Sequence, residues 1–344
     1  MRTLFDTTSL RGLRLKNRIF RSATWMGMAD DGKVTQPIVE LYRNYAKGQV
    51  AGIITGFTHI APYDGQLSGA MRLTSDAQAE GHRAITEAVH AYDSRIFLQA
   101  ALLDTTVATA EGKGTLKSVN SITEAELTRL IDDYRKAAVR AQKVGYDGLQ
   151  IHAAHFFGLS KILSPLYNQR RDAYGGSAKG RAKLLVDIHD AIRAAVGSSF
   201  AILVKINCSD FAEGGLSEED FIEACEALSC AGIDAIEVSG NYTSRPHVRA
   251  HVNEAYFAQA ALKLRQQVTT PIILVGGLRS LETINALIDQ EGIDYVSLSR
   301  PLLCEPMLVA RWQSGDTSPS RCVSCNACYQ TPNHQCIQHL RKEA

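Results

Sequence analysis

Several groups of residues in this chain could do chemistry, and their spacing limits what that chemistry is. Near the C-terminus, Cys322, Cys325 and Cys328 form C-x2-C-x2-C, with Cys336 following. Four thiolates suit an iron–sulfur cluster or a tetrahedral zinc ion. Upstream, His152 and His155 lie in Ile-His-Ala-Ala-His, after an apolar run. Such a pair could hydrogen-bond a carbonyl oxygen, bind an anion or ligate a metal. No carboxylate stands beside the pair, which favours an organic oxygen over a metal.

Lys205 sits inside the apolar segment Leu203-Val-Lys-Ile206. A buried ammonium is costly unless it meets a partner. The partner could be a ligand anion, an electron-rich ring, a carboxylate in a structural ion pair, or a carbonyl carbon in a Schiff base. Gln99, within another apolar run, also needs hydrogen-bond partners, which a neighbouring strand could supply. Late in the chain, Val275-Gly-Gly-Leu-Arg279 and Leu298-Ser-Arg-Pro301 both join small residues to an arginine. Small residues let backbone N–H groups approach a phosphate, and arginine adds charge and a fork of donors.

The elements that must position these residues show a recurring signature. Residues 145–151, 232–238 and 292–298 each open with Gly-x-Asp and run into an apolar stretch. Glycine suits the position after a helix, where φ is positive. The signature therefore marks a helix-to-strand joint. Further buried-strand candidates are 18–23, 52–58, 96–103, 201–207 and 272–275. Helical stretches alternate with them at 36–48, 77–92, 123–144, 180–196, 217–231, 253–268, 281–290 and 304–313. Thr123-Glu-Ala-Glu126 and Ser217-Glu-Glu-Asp220 read as helix starts. The alternation predicts an α/β fold, a closed (β/α)8 TIM barrel. No G-x-G-x-x-G follows the first strand, which argues against an open dinucleotide-binding sheet.

In such a barrel the chemistry gathers at the C-terminal ends of the strands. His152, His155, Lys205 and the two Gly/Ser-Arg loops all fall there. The domain reading is a barrel with a lead-in over residues 1–315, and a cysteine-rich tail over 316–344. Residues 1–17 are expected to cap the barrel bottom, as a hairpin.

Composition bounds the rest. The 344 residues include 37 basic and 36 acidic side chains, for a net charge of +1. That balance argues against nucleic-acid or membrane-surface binding. No apolar run reaches the length of a membrane span, and the N-terminus has no apolar core of a signal peptide. The expectation is a cytoplasmic protein acting on a small molecule.

The residues named so far, in this order, resemble the old yellow enzyme family of FMN-dependent NAD(P)H oxidoreductases. The resemblance begins at Leu13-Arg-Leu-Lys-Asn-Arg-Ile19. It is most specific from Ile151 to Arg181, through Leu163-Ser-Pro-Leu-Tyr-Asn168, Arg171-Asp172 and Tyr174-Gly-Gly-Ser177. It implies FMN as cofactor and NADH or NADPH as reductant. Ser22, Ala23, Thr24 and Trp25, with Gly56 or Phe57, would line the flavin ring. Gln99 would bond its pyrimidine edge. Lys205 would stabilise negative charge near N1. Gly276, Gly277, Ser299 and Arg300 would hold the phosphate. His152 and His155 would bond the carbonyl oxygen of an α,β-unsaturated substrate.

Two departures stand out. The family usually carries a proton-donating tyrosine two residues after the second histidine, where this chain has Phe157. Water, Tyr63 or Tyr242 could donate instead, or the substrate needs no such donor. The segment Gln99-Ala-Ala-Leu-Leu-Asp104 also lacks the family's frequent His and Gly-Arg. The cysteine tail resembles the [4Fe–4S] segment of larger members, such as trimethylamine dehydrogenase and dienoyl-CoA reductase, with a shorter final spacing. Cluster, zinc and uncomplexed thiols are all open readings. An alternative function is an electron-transfer module passing electrons to a partner protein. Members of the family often associate, so a homo-oligomer is also open.

Overall fold

The structure, a computed structural model, describes residues 2–340 apart from 66, 110 and 243. Eight parallel strands close into a barrel. They are β1 (Ile19–Arg21), β2 (Gly52–Ile54), β3 (Arg95–Ala101), β4 (Gly148–Ala153), β5 (Ala201–Asn207), β6 (Ala235–Ser239), β7 (Ile272–Val275) and β8 (Tyr295–Leu298). Each pairs with the next, and β8 returns to β1. The outer helices are α1 (Gln36–Lys47), α2 (Ala79–His90), α3 (Glu124–Lys143), α4 (Ala178–Val196), α5 (Glu218–Ala231), α6 (Ala258–Arg265), α7 (Leu281–Asp289) and α8 (Leu308–Gln313). No described helix is long and apolar enough to cross a membrane.

The Gly-x-Asp signature has a physical cause. Gly145, Gly232 and Gly292 take φ of 93°, 91° and 75°. Side chains rarely tolerate that region, so glycine ends the helix there. The aspartate two residues on then accepts the N–H of the first or second residue of the preceding strand. Asp147 accepts from Ile96 at 2.8 Å, Asp234 from Ile202 at 2.7 Å and Asp294 from Ile272 at 3.0 Å. Thus each signature joins a helix to its own strand and pins that strand's neighbour. The expected helix starts also form, with capping boxes at Thr123 and Ser217.

The lower barrel interior is filled by Phe20, Ile54, Phe97, Leu203, Ile273 and Tyr295. Gly52 makes room for this layer, because a Cβ there would lie 2.3 Å from the Phe20 ring. The predicted hairpin is present: Thr8–Leu10 pairs antiparallel with Leu13–Leu15. Its Leu10 and Leu15 join the same buried cluster and plug the bottom. Solvent is therefore sealed from one end, leaving the C-terminal strand ends as the open face.

Several expected elements are shorter or broken. The run 52–58 stops at Ile54, and Thr58–His59 forms a separate short strand against β3. Helix α6 begins at Ala258, not 253, because Glu254 is engaged elsewhere. Its carboxylate accepts the backbone N–H groups of Arg279 and Ser280 at 2.6 and 3.0 Å. The stretch 304–313 becomes two helices, Arg300–Cys304 and Leu308–Gln313, parted around Pro306. Proline cannot donate to a continuous helix ladder.

Candidate active site

The C-terminal strand ends surround a cavity of about 380 Å³. Residues Ser22, Ala23, Thr24 and Trp25, after β1, form one wall. Lys205 of β5 and Ser239 of β6 reach in from the opposite side, with His155 and Phe157 beyond β4. Gly276, Gly277 and Arg279 after β7, with Ser299 and Arg300 after β8, complete it. The structure therefore brings most of the residues singled out in the sequence to one place.

One end of the cavity combines bare glycine backbone with two guanidiniums. Gly276 and Gly277 have φ of 121° and 76°. A Cβ on Gly277 would lie 2.6 Å from the Tyr256 ring, so only bare backbone fits. The acceptors that the nearby guanidiniums find are neutral. Arg279 donates to Leu278 O at 2.7 Å and to Ser324 Oγ. Arg300 donates to Arg245 O at 2.9 Å and to Asn326 Oδ1. Arg279 Nε and Ser297 Oγ are buried with no partner. Two positive charges with neutral acceptors and orphaned buried donors match a phosphate-bearing ligand. Thr24 and Ser299 are joined by a 2.9 Å hydroxyl–hydroxyl bond, tying the β1 and β8 loops together.

Deeper in the cavity, Lys205 has a carboxylate partner. Its Nζ lies 3.1 Å from Glu237 Oε1 and 2.9 Å from Ser22 Oγ. Strand register sets this, since Lys205 stands opposite both His152 and Glu237. Burial would raise the Glu237 carboxyl, but Lys205 and the bonds from Gln150 and Ser22 outweigh it and hold it below its ordinary value. Gln99 bonds its neighbour on β4, donating from Nε2 to Gln150 Oε1 at 2.9 Å. It does not border the main cavity. Sequence reasoning did not single out Glu237 or Gln150. The signal for Glu237 was an acidic residue inside the buried run Ala235-Ile-Glu-Val-Ser239.

Burial holds both histidines toward their neutral form. Burial, aided by Lys205, lowers His152 to about 3. Burial, then His152 and Lys205, puts His155 well below its ordinary value. Their ring centroids are 5.3 Å apart. His155 has φ of 65° and bonds Ser239 Oγ through Nε2 at 2.9 Å. His155 borders the cavity and His152 does not. His152 Nδ1 is buried without a partner.

Gly56 and Phe57 face an adjoining pocket of about 20 Å³, which shares Thr24 and Trp25 with the main cavity. Gly56 donates its N–H to Tyr42 Oη at 2.7 Å. The candidate proton donors Tyr63 and Tyr242 do not border the main cavity. Tyr63 is turned to Asp133 on α3, and Tyr242 is 70% exposed. Two tyrosines that sequence reasoning did not name, Tyr256 and Tyr329, do border it.

Cys322, Cys325, Cys328 and Cys336 line a second cavity of about 140 Å³, bordered also by Arg300. Arg300 thus separates the two cavities. Among the described residues, no group of three His, Cys, Asp or Glu side chains is placed to hold a metal ion. Burial raises the Cys328 thiol. The tail also reaches the main cavity, where His334 meets Trp25 edge-on at 5.0 Å.

The sequence matches the NADH:flavin oxidoreductase / NADH oxidase family over residues 3–318. It is 29% identical to a metal reductase of Desulforamulus reducens over 99% of this chain, which spans about half (52%) of that protein. It is 27% identical to the 4,4'-dithiodibutanoate disulfide reductase of Rhodococcus erythropolis, covering 96% of this chain and 93% of that one. Identity to an NADPH dehydrogenase of Halalkalibacterium halodurans is 30%, over 88% and 91% of the two chains. The fold is similar to that of an old yellow enzyme homologue from Zymomonas mobilis, with a TM-score of 0.77, 25% identity, and coverage of 92% and 94%.

Proposed function

This chain belongs to the NADH:flavin oxidoreductase / NADH oxidase family, and from that premise we propose an FMN-dependent oxidoreductase that uses NADH or NADPH to reduce an α,β-unsaturated carbonyl or similar electrophile. The observation that carries this reading is the single cavity with a Gly-Gly and two-arginine cradle at one end and Lys205 and His155 at the other. FMN, when bound, would supply the hydride-carrying ring.

The residues present fit that cofactor. Arg279, Arg300, Ser297 and the N–H groups of Gly276 and Gly277 would take its phosphate. Lys205 would offer positive charge to the ring, and residues 22–25 would line one edge. Neutral His152 and His155 can donate to a substrate carbonyl oxygen, drawing electrons from the conjugated carbon that receives hydride. A neutral imidazole donates through one nitrogen only.

A second reading is favoured by the tail. Cys322, Cys325, Cys328 and Cys336 would hold a [4Fe–4S] cluster beside Arg300, and the chain would pass electrons singly to a partner protein. Phe157, which has no proton to give, fits that role too. The cytoplasm, where thiols stay reduced, is the proposed setting.

The test is an absorption spectrum of anaerobically purified protein, with flavin, iron and zinc quantified. Yellow protein with stoichiometric FMN supports the proposal. Colourless protein that cannot be reconstituted with FMN overturns it. Turnover of a panel of enones and one dialkyl disulfide, with NADH and NADPH, then separates the substrate classes.

A further inference from the structure

Three of the residues that resemblance assigns to the flavin are tied to one carboxylate that it does not assign. Ser22 donates to Glu237 Oε1 at 2.8 Å, and Lys205 meets the same oxygen at 3.1 Å. The other oxygen, Oε2, accepts Gln150 Nε2 at 2.7 Å, and Gln150 Oε1 accepts Gln99 Nε2 at 2.9 Å. Glu237 is fully buried. We propose that Glu237 is a positioning residue for the cofactor, fixing the hydrogen-bond polarity of Gln99 and offsetting the charge of Lys205.

The polarity argument follows from donor counting. An ionised carboxylate has no hydrogen to give. Gln150 must therefore turn its amide nitrogen to Glu237, which leaves its carbonyl oxygen toward Gln99. Gln99 must in turn present its nitrogen to Gln150. Its own carbonyl oxygen and second N–H are then held in a fixed orientation for other partners. That is the polarity the resemblance asks of Gln99, an acceptor for the N3–H and a donor for the C2=O of a flavin pyrimidine edge. Without the carboxylate, both amides could flip together at little cost, and half of the Gln99 population would present the wrong pattern.

The charge argument is independent of the amides. A buried ammonium with no counter-ion carries a large desolvation cost. Glu237 offsets that cost by direct attraction while leaving Lys205 at the cavity wall. A compensated lysine attracts negative charge on a bound ring less strongly than a bare one. Glu237 therefore lowers the reduction potential of the bound cofactor relative to a site with Lys205 alone.

The inference rests on FMN binding, and its test separates the two. The measurements are FMN affinity and the reduction potential of bound FMN, with melting to report folding. In Glu237→Gln, FMN should bind about tenfold more weakly, and the potential should rise. Glu237→Asp should restore part of both. Gln150→Leu should weaken FMN binding and leave the potential unchanged, since Lys205 keeps its partner. FMN binding and potential equal to the parent protein in Glu237→Gln overturn the inference and leave the proposed function standing. Failure of the parent protein to bind FMN overturns both. If Glu237→Gln does not fold, Lys205→Met is compared with the double change Lys205→Met/Glu237→Met, which removes both charges. The double variant must then show the higher potential, and equal potentials overturn the inference.

Discussion

The ring of Phe157 lies 5.1 Å from that of His152, and equally 5.1 Å from that of Phe57. This position borders the cavity and packs with Trp25, Leu67 and Leu103 in an apolar cluster. The family resemblance places a proton donor here. This chain places a greasy wall against a neutral histidine, so any proton for the substrate carbon must come from elsewhere.

Phe157→Tyr adds a hydroxyl at that wall. General acid catalysis contributes a hundredfold or more where geometry allows. The expected outcome is a gain of about a hundredfold in enone reduction, read as NAD(P)H consumption, with solvent deuterium entering the product. No gain would place the proton source in water or another residue.

The phosphate cradle predicts cofactor loss by a different route. Arg300→Met removes a charged donor from the cavity, and Gly277→Val forces a side chain into the Tyr256 ring. Each should weaken FMN binding about tenfold to a hundredfold, the first by loss of a charged hydrogen bond and the second by displacing the backbone. Fluorescence titration of apoprotein with FMN measures it. Unchanged affinity in both would remove the phosphate from this end of the cavity.

Acid should unfold this barrel through its buried histidines. His82 bonds Tyr146 Oη at 2.9 Å and Arg72 O at 3.0 Å, and burial lowers it to about 4. Its unfolded value is near 6.5, so the unfolded chain takes up the proton first. The stability this neutral histidine contributes is complete above about pH 6.5 and declines as pH falls toward 4. At pH 5 the loss is about 2 kcal/mol. His152 and His155 act in the same direction. Denaturant melts at pH 7 and pH 5 should differ accordingly, and His82→Gln should shrink that difference by about 2 kcal/mol. An unaltered difference would mean that His82 is charged in the folded state.

The tail makes a prediction about metal content. Anaerobically purified protein should carry about four iron atoms and matching sulfide per chain. Cys325→Ser should lower iron content without lowering FMN content. Zinc at one per chain would replace the cluster reading, and neither metal would leave the tail as thiols.

Much of the fold was legible because its signals are local. The Gly-x-Asp joints need only a left-handed glycine and a short carboxylate, and both act within a few residues. The same holds for the capping boxes at Thr123 and Ser217. The Gly-Gly and Ser-Arg loops were legible as neighbours in one site because their order in the chain placed them after the last two strands. Helix α6 was misjudged because Glu254 serves a loop some 25 residues away, and helical periodicity cannot register a bond at that range.

The sequence by itself singled out most of the polar residues that the strand ends bring to the main cavity. It could not determine whom they touch. Lys205 and Glu237 lie 32 residues apart, and Gln150 and Glu237 lie 87 apart. Parallel strand register brings them into one layer, and register is a property of the closed barrel. The cysteines followed the same rule: their spacing marked them as a group, and only packing beside Arg300 put them next to the main cavity. Composition and spacing act along the chain, whereas charge compensation and hydrogen-bond polarity act across it, so these were decided only when the barrel closed.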